Sequence, residues 1–135
     1  MRVKMALISW ALFFSSSVFA VENGSELFDR LCAICHVKQG QPTNAPPVFA
    51  VRNHMMRAYP NRQEFVQRIV NWVEEPNADY ALMPGAIRKF GLMPKLGYPE
   101  NDVRLIAEYL YDGKTELPEW YIKHYEEGHG EKPIQ

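Results

Sequence analysis

Apolar residues along this chain recur at helical spacing in several separated stretches, and nowhere do they alternate as a strand would. Over residues 25–35, Leu27, Phe28, Leu31 and Cys32 share one face. Ser25 is placed to cap the start, and Glu26 sits at the positive end. A second helix is predicted to open at Asn61, with Glu64 as its capping-box partner. Phe65, Ile69, Trp72 and Val73 form its stripe and Pro76 ends it. Residues 84–90 make a short helix closed by Gly91. Pro99 suits the first turn of a fourth, with Val103, Ile106, Ala107, Leu110 and Tyr111 as its buried stripe and Asp112-Gly113 as its stop. Residues 118–127 can add an amphipathic helix, and residues 128–135 are expected to fray. Between these elements lie a Gly/Pro/Asn-rich loop over 39–47, an irregular stretch reaching Pro60, and the extended run Leu92-Met93-Pro94-Lys95-Leu96-Gly97. The expectation is an all-α domain without repeats.

Composition sharpens that expectation. The 135 residues suffice for one ordinary domain, and ten prolines enforce short helices separated by long loops. So little regular structure buries a thin core, and small scaffolds of this kind are usually completed by a metal or cofactor. Fifteen basic against 16 acidic residues leave neither a nucleic-acid footprint nor an acidic tail.

Residues 1–20 read as a secretory signal peptide. Arg2 and Lys4 precede an apolar run over 5–14 broken only by Ser9, and Val18-Phe19-Ala20 fits an A-x-A-like cleavage site. The run is shorter than the roughly 20 apolar residues of a spanning helix, although an uncleaved anchor is the alternative. Removing it leaves 13 basic and 16 acidic residues and no transmembrane span. The chain thus divides into a signal (1–20), a domain (21–113) and a C-terminal extension (114–135). It is expected to be exported, and periplasmic if bacterial.

The two cysteines stand together in Cys32-Ala33-Ile34-Cys35-His36. Thiols three residues apart near a helix end face one side, where each can form a thioether to a haem vinyl group, and the next residue is held to reach the iron. Other uses of the pair fit less well. A thioredoxin-like site needs a preceding strand, which is missing here. A zinc site would need two of His36, His54, His124 and His129, which lack the usual pairing. A disulfide between residues so close on a helix is geometrically poor. One covalent haem c is therefore expected, with Cys32 and Cys35 as its attachment points and His36 as an axial ligand.

For the other axial position the chain offers Met55, Met56, Met83 and Met93. Met83 and Met93 are both followed by proline, so local sequence does not separate them. Met93 is preferred because it hangs between Gly91 and Gly97 just before the last core helix, with Met83 as the rival. His54 is read as a loop or surface histidine, and His124 and His129 as tail residues beside the charged pair Glu126-Glu127.

With these residues in view, the sequence resembles the small class I, monohaem cytochromes c over most of residues 21–113. Gly24 and Phe28 match the Gly and aromatic where that family's first helix crosses its last, and Ile106, Tyr109 and Leu110 resemble the facing surface. Ala45-Pro46-Pro47-Val48 is similar to the family's loop proline, with Ala45 where Gly is more usual. The resemblance implies that the Pro46 carbonyl accepts a hydrogen bond from His36. It also matches Met93-Pro94 to the family's axial methionine. A cytochrome c-like fold of short helices and loops wrapped around the haem is implied. Phe49, Trp72, Ile87 and Phe90 are expected to wall it, with a haem propionate as an alternative partner for the Trp72 indole.

The function expected is a single-electron carrier, not an enzyme, docking transiently to a redox donor and acceptor. The alternatives are a haem protein with a labile sixth ligand, acting as a small-ligand sensor or peroxidatic enzyme, and an exported metal carrier without haem.

Overall fold

The computed structural model describes residues 23–42 and 44–134, so the proposed signal peptide lies outside the described residues. Helix α1 spans Gly24–Leu31, α2 Val48–Ala58, α3 Arg62–Glu74, α4 Pro84–Phe90, α5 Glu100–Asp112 and α6 Glu119–His129, with one 3-10 turn at Ala78–Tyr80. Among the described residues there are no strands. None of these helices is long and apolar enough to cross a membrane.

α1 begins one residue before Ser25. Asn23, not Ser25, is its cap, accepting from the backbone N–H groups of Ser25 and Glu26 while the Glu26 carboxylate accepts from Asn23 N–H. With Gly24 as its first residue, the helix takes Asn23 as its cap. A Cβ on Gly24 would lie 2.7 Å from Tyr109 Cβ and closer still to the Leu105 carbonyl oxygen. The bare backbone lets α1 lie directly on α5, with Phe28 and Tyr109 rings 6.3 Å apart across the crossing.

α3 starts where expected, with Asn61 Oδ1 accepting from Gln63 and Glu64 N–H but no return bond to the Glu64 side chain; of the predicted stripe Phe65 and Ile69 are buried while Trp72 and Val73 are half-buried. It packs along α5, and Phe65, Val66, Ile69 and Val70 meet Val103, Ile106, Ala107 and Leu110 in the main core. Of the stripe predicted for α5, Tyr111 alone is only half-buried. Its ring contacts Phe65 and its hydroxyl donates to the Pro60 carbonyl at 2.7 Å.

α2 was not expected, since residues 48–60 read as irregular. Its pattern is obscured because it is enclosed on two sides and two of its buried positions are polar. Val48, Arg52 and Met55 face the main core. Arg52 Nε donates to the Leu110 carbonyl at 2.8 Å, closing the C-terminal end of α5. Phe49, Ala50 and Asn53 face the other way, toward α6, where Tyr121 and Tyr125 are buried with Phe49 and Ala50 in a second cluster. The tail expected to fray is pinned there. Asn53 Nδ2 donates to the Ile134 carbonyl at 2.7 Å, Arg57 donates to the Tyr125 hydroxyl at 3.0 Å, and Arg57 pairs with Glu131.

Candidate cofactor site

Past Leu31 the chain keeps turning. Cys32 caps α1, and the N–H groups of Cys35 and His36 both donate to the Cys32 carbonyl, at 3.1 and 2.8 Å. That turn brings Cys32, Cys35 and His36 to the wall of one cavity of about 360 Å³, within the range of small-molecule and cofactor sites. The cysteines are unpaired, Cys32 half-buried and Cys35 exposed. Burial, and then the neighbouring Cys35, push the Cys32 thiol up to about 11, so it stays protonated near neutrality.

His36 Nδ1 lies 2.8 Å from the Pro46 carbonyl oxygen. A carbonyl only accepts, so Nδ1 carries the proton and Nε2 keeps its lone pair, the tautomer a metal ligand needs. Burial holds His36 below its ordinary value, partly opposed by the Pro46 bond. The Pro46 carbonyl is itself fixed, because Val48 N–H donates to the Val37 carbonyl at 3.0 Å where α2 begins.

The cavity walls are largely apolar. Ile69, Trp72, Ile87, Phe90, Val103 and Ile106 line it, whereas Phe49, expected among them, is turned into the second cluster against Trp120 and Tyr121. Met83 and Met93 both border the cavity, but their surroundings differ. Met83 packs against the Phe49/Tyr121/Tyr125 cluster, and its carbonyl accepts from Ala86 and Ile87 to start α4. Met93 belongs to neither cluster. It lies in the segment between Gly91 (φ 82°) and Gly97 (φ 70°), backbone angles that side chains rarely tolerate.

Three lining residues escaped the sequence reading. Arg68 is the one Lys, Arg, Asp or Glu among the described lining residues. Its guanidinium lies 5.4 Å from the Trp72 ring centroid and donates to the Tyr80 carbonyl. Their i, i+4 spacing on α3 was the signal that could have marked the pair. Tyr98 lines the cavity and donates its hydroxyl to the Leu31 carbonyl at 3.0 Å, tying the Met93 segment to the end of α1. His54, read as a surface residue, borders the cavity from α2; nothing in the sequence marked it, because α2 itself was missed.

These residues fit a haem. Two free thiols, an imidazole with its outer nitrogen engaged, methionine sulfurs and one cation surround an apolar hollow. Among the described residues no three His, Cys, Asp or Glu side chains converge, so the zinc reading finds no support.

An uncharacterized protein of Aquifex aeolicus is similar to this chain, 27% identical over 139 aligned positions that cover 84% of the chain and 90% of the relative. No solved structure matches. The family profile described as Cytochrome c matches residues 21–114, a span holding α1 to α5 and every residue named above as lining the cavity. Sequence and geometry thus converge, and the chain belongs to the cytochrome c family, whose domain implies electron transfer on a covalently attached haem.

Proposed function

We propose that this chain is an exported, single-haem electron carrier in which Cys32 and Cys35 form the thioethers and His36 and Met93 are the axial ligands. The observation that carries the reading is the Cys32–His36 turn at an apolar cavity, with the imidazole tautomer fixed by the Pro46 carbonyl. Met93 is preferred over Met83 because Met83 has a packing role in the second cluster and Met93 does not.

Held by Cys32, Cys35, His36 and Met93, a haem would supply a one-electron couple, with a potential raised by a methionine sulfur opposite the imidazole. The protein's own residues do the rest. Pro46 orients His36 and raises its basicity. The aliphatic and aromatic walls exclude water. Arg68, braced on Trp72 and Tyr80, faces the cavity as a counter-charge for carboxylates. Ile34, Leu82, Leu92 and Leu96 are exposed around the cavity and form an apolar rim suited to brief contact with redox partners.

The reading also takes residues 1–20 as an export signal, 21–113 as the cytochrome domain and 114–135 as an extension, which places the mature protein outside the cytoplasm. The ferric protein is expected to show the near-infrared band of sulfur-to-iron charge transfer, lost in Met93→Ala and kept in Met83→Ala. Loss in Met83→Ala alone would move the ligand assignment to Met83. Absence of a covalent haem would overturn the function.

A further inference from the structure

The extension brings a second histidine to His54. His54 is half-buried on α2, and His129 is exposed at the last position of α6, yet their ring centroids are 5.3 Å apart with planes at 69°. His54 Nδ1 lies 2.8 Å from the Ala50 carbonyl oxygen. By the logic already applied to His36, that nitrogen holds the proton and Nε2 is left as a free donor pair. His129 stacks on Tyr125 at 4.2 Å, and Tyr125 stands edge-on to His54 at 5.7 Å. Both rings are therefore oriented by neighbours that also hold α6 to α2.

We propose that His54 and His129 form a two-imidazole site for a borderline divalent transition-metal ion, Cu2+ most tightly and Ni2+ and Zn2+ less so, which clips the C-terminal helix onto α2. Two imidazole nitrogens about 2.0–2.1 Å from a shared tetrahedral or tetragonal metal place their ring centroids roughly 4.5–5.2 Å apart. The observed separation lies just beyond that range. Metal-bound histidines characteristically donate their other ring nitrogen to a carbonyl or carboxylate, as His54 already does.

The surroundings set the character of the site. Arg57 opposes a cation, but its charge is met by Glu131. Among the described residues no third His, Cys, Asp or Glu joins the pair, so water completes the coordination and the ion is exchangeable. Imidazole donors without a carboxylate cluster discriminate against Mg2+ and Ca2+, and the order of affinity follows from the general preference of nitrogen sites for copper. An ion held only by the folded chain raises its stability by mass action.

The site itself uses neither thiol nor His36, but its test is run on the haem-loaded protein and so rests on the proposed haem attachment. The test is calorimetric titration of the haem-loaded full-length protein, in which both thiols are consumed, with Cu2+, Ni2+, Zn2+ and Mg2+. It is paired with electron paramagnetic resonance of the copper form. One Cu2+ per chain with hyperfine splitting from imidazole nitrogens is expected, with Mg2+ silent and a thermal midpoint raised by the bound ion. His54→Ala and His129→Ala should each weaken Cu2+ binding about tenfold or more and remove the thermal shift. Should His54→Ala fail to fold, His129→Ala carries the test, because His129 is exposed and its loss leaves both clusters intact. Undiminished affinity or an unchanged copper spectrum in His129→Ala would show adventitious surface binding and overturn the proposal, as would competition by Mg2+.

Discussion

The contact of α1 with α5 makes a sharp prediction for Gly24. Replacing it by alanine adds one methyl at a crossing that has no space. The new Cβ would sit 2.7 Å from Tyr109 Cβ and nearer still to the Leu105 carbonyl oxygen, and the latter is backbone that cannot rotate away. Against this stands the higher helix propensity of alanine, at most about 1 kcal/mol and smaller in the first turn. Overpacking of a closed contact costs typically about 1–3 kcal/mol and more where backbone must move. The two helices must separate by roughly an ångström, so Gly24→Ala is expected to lose about 2 kcal/mol or more. Gly85, in the first turn of α4, is the matched control. A Cβ there meets only the Arg88 guanidinium at 3.7 Å, so Gly85→Ala should be neutral or gain about 0.5 kcal/mol. Denaturation of the haem-loaded variants in guanidinium, followed by circular dichroism, measures both. A Gly24→Ala midpoint equal to the parent's, or a shift of the same sign at both positions, would refute the close-crossing argument.

Other expectations follow from single contacts. Arg52→Met keeps the bulk of the side chain but leaves the Leu110 carbonyl without its charged donor, and should cost about 1.5–3 kcal/mol by the same denaturation assay. Tyr121 has a buried hydroxyl with no partner, so Tyr121→Phe should leave the thermal midpoint unchanged or raise it, whereas most core substitutions lower it. Asp112 is held below its ordinary carboxylate value chiefly by its hydrogen bond from Arg62. The stabilisation from that pair is present above the unfolded value of 3.8 and is lost as the pH falls through the depressed native one. Acid titrations of the parent and Arg62→Gln should therefore differ near pH 5 and converge at lower pH. If the sixth ligand is labile, the reduced protein will bind carbon monoxide rapidly at neutral pH; slow or absent binding is expected of the electron carrier.

Periodicity revealed α1, α3 and α5 because each of these helices buries one side, whereas α4, none of whose residues is buried, was marked by Pro84 at its start and Gly91 at its end. The pattern from Phe65 to Val73 and from Val103 to Leu110 is that of an element with a single partner. α2 has two partners, the core and α6, and places Arg52 and Asn53 in the interior to meet carbonyls at the end of α5 and at Ile134. Polar residues at buried positions read as loop from sequence, since their partners lie 58 and 81 residues away. The attachment motif was legible because its chemistry is local. The preference for Met93 came from its flanking glycines and the family resemblance; the packing of Met83 against the second cluster was not legible, because that cluster joins α2 to the extension. His54 and Arg68 escaped for the same reason: cavity walls are assembled from several helices, and one helix read alone does not show which of its faces is enclosed.

The union of α1 with α5 also orders assembly in time. The helix that leads into the cysteines has its partner at the far end of the domain, so its apolar face finds no cover until that far end is available. Such distant closure adds loop-closure entropy to the committing step. The final helix meets α2 rather than that crossing, and so can dock afterwards as a separate event. A chain truncated before residue 100 would therefore stay open, because α1 would lack its partner.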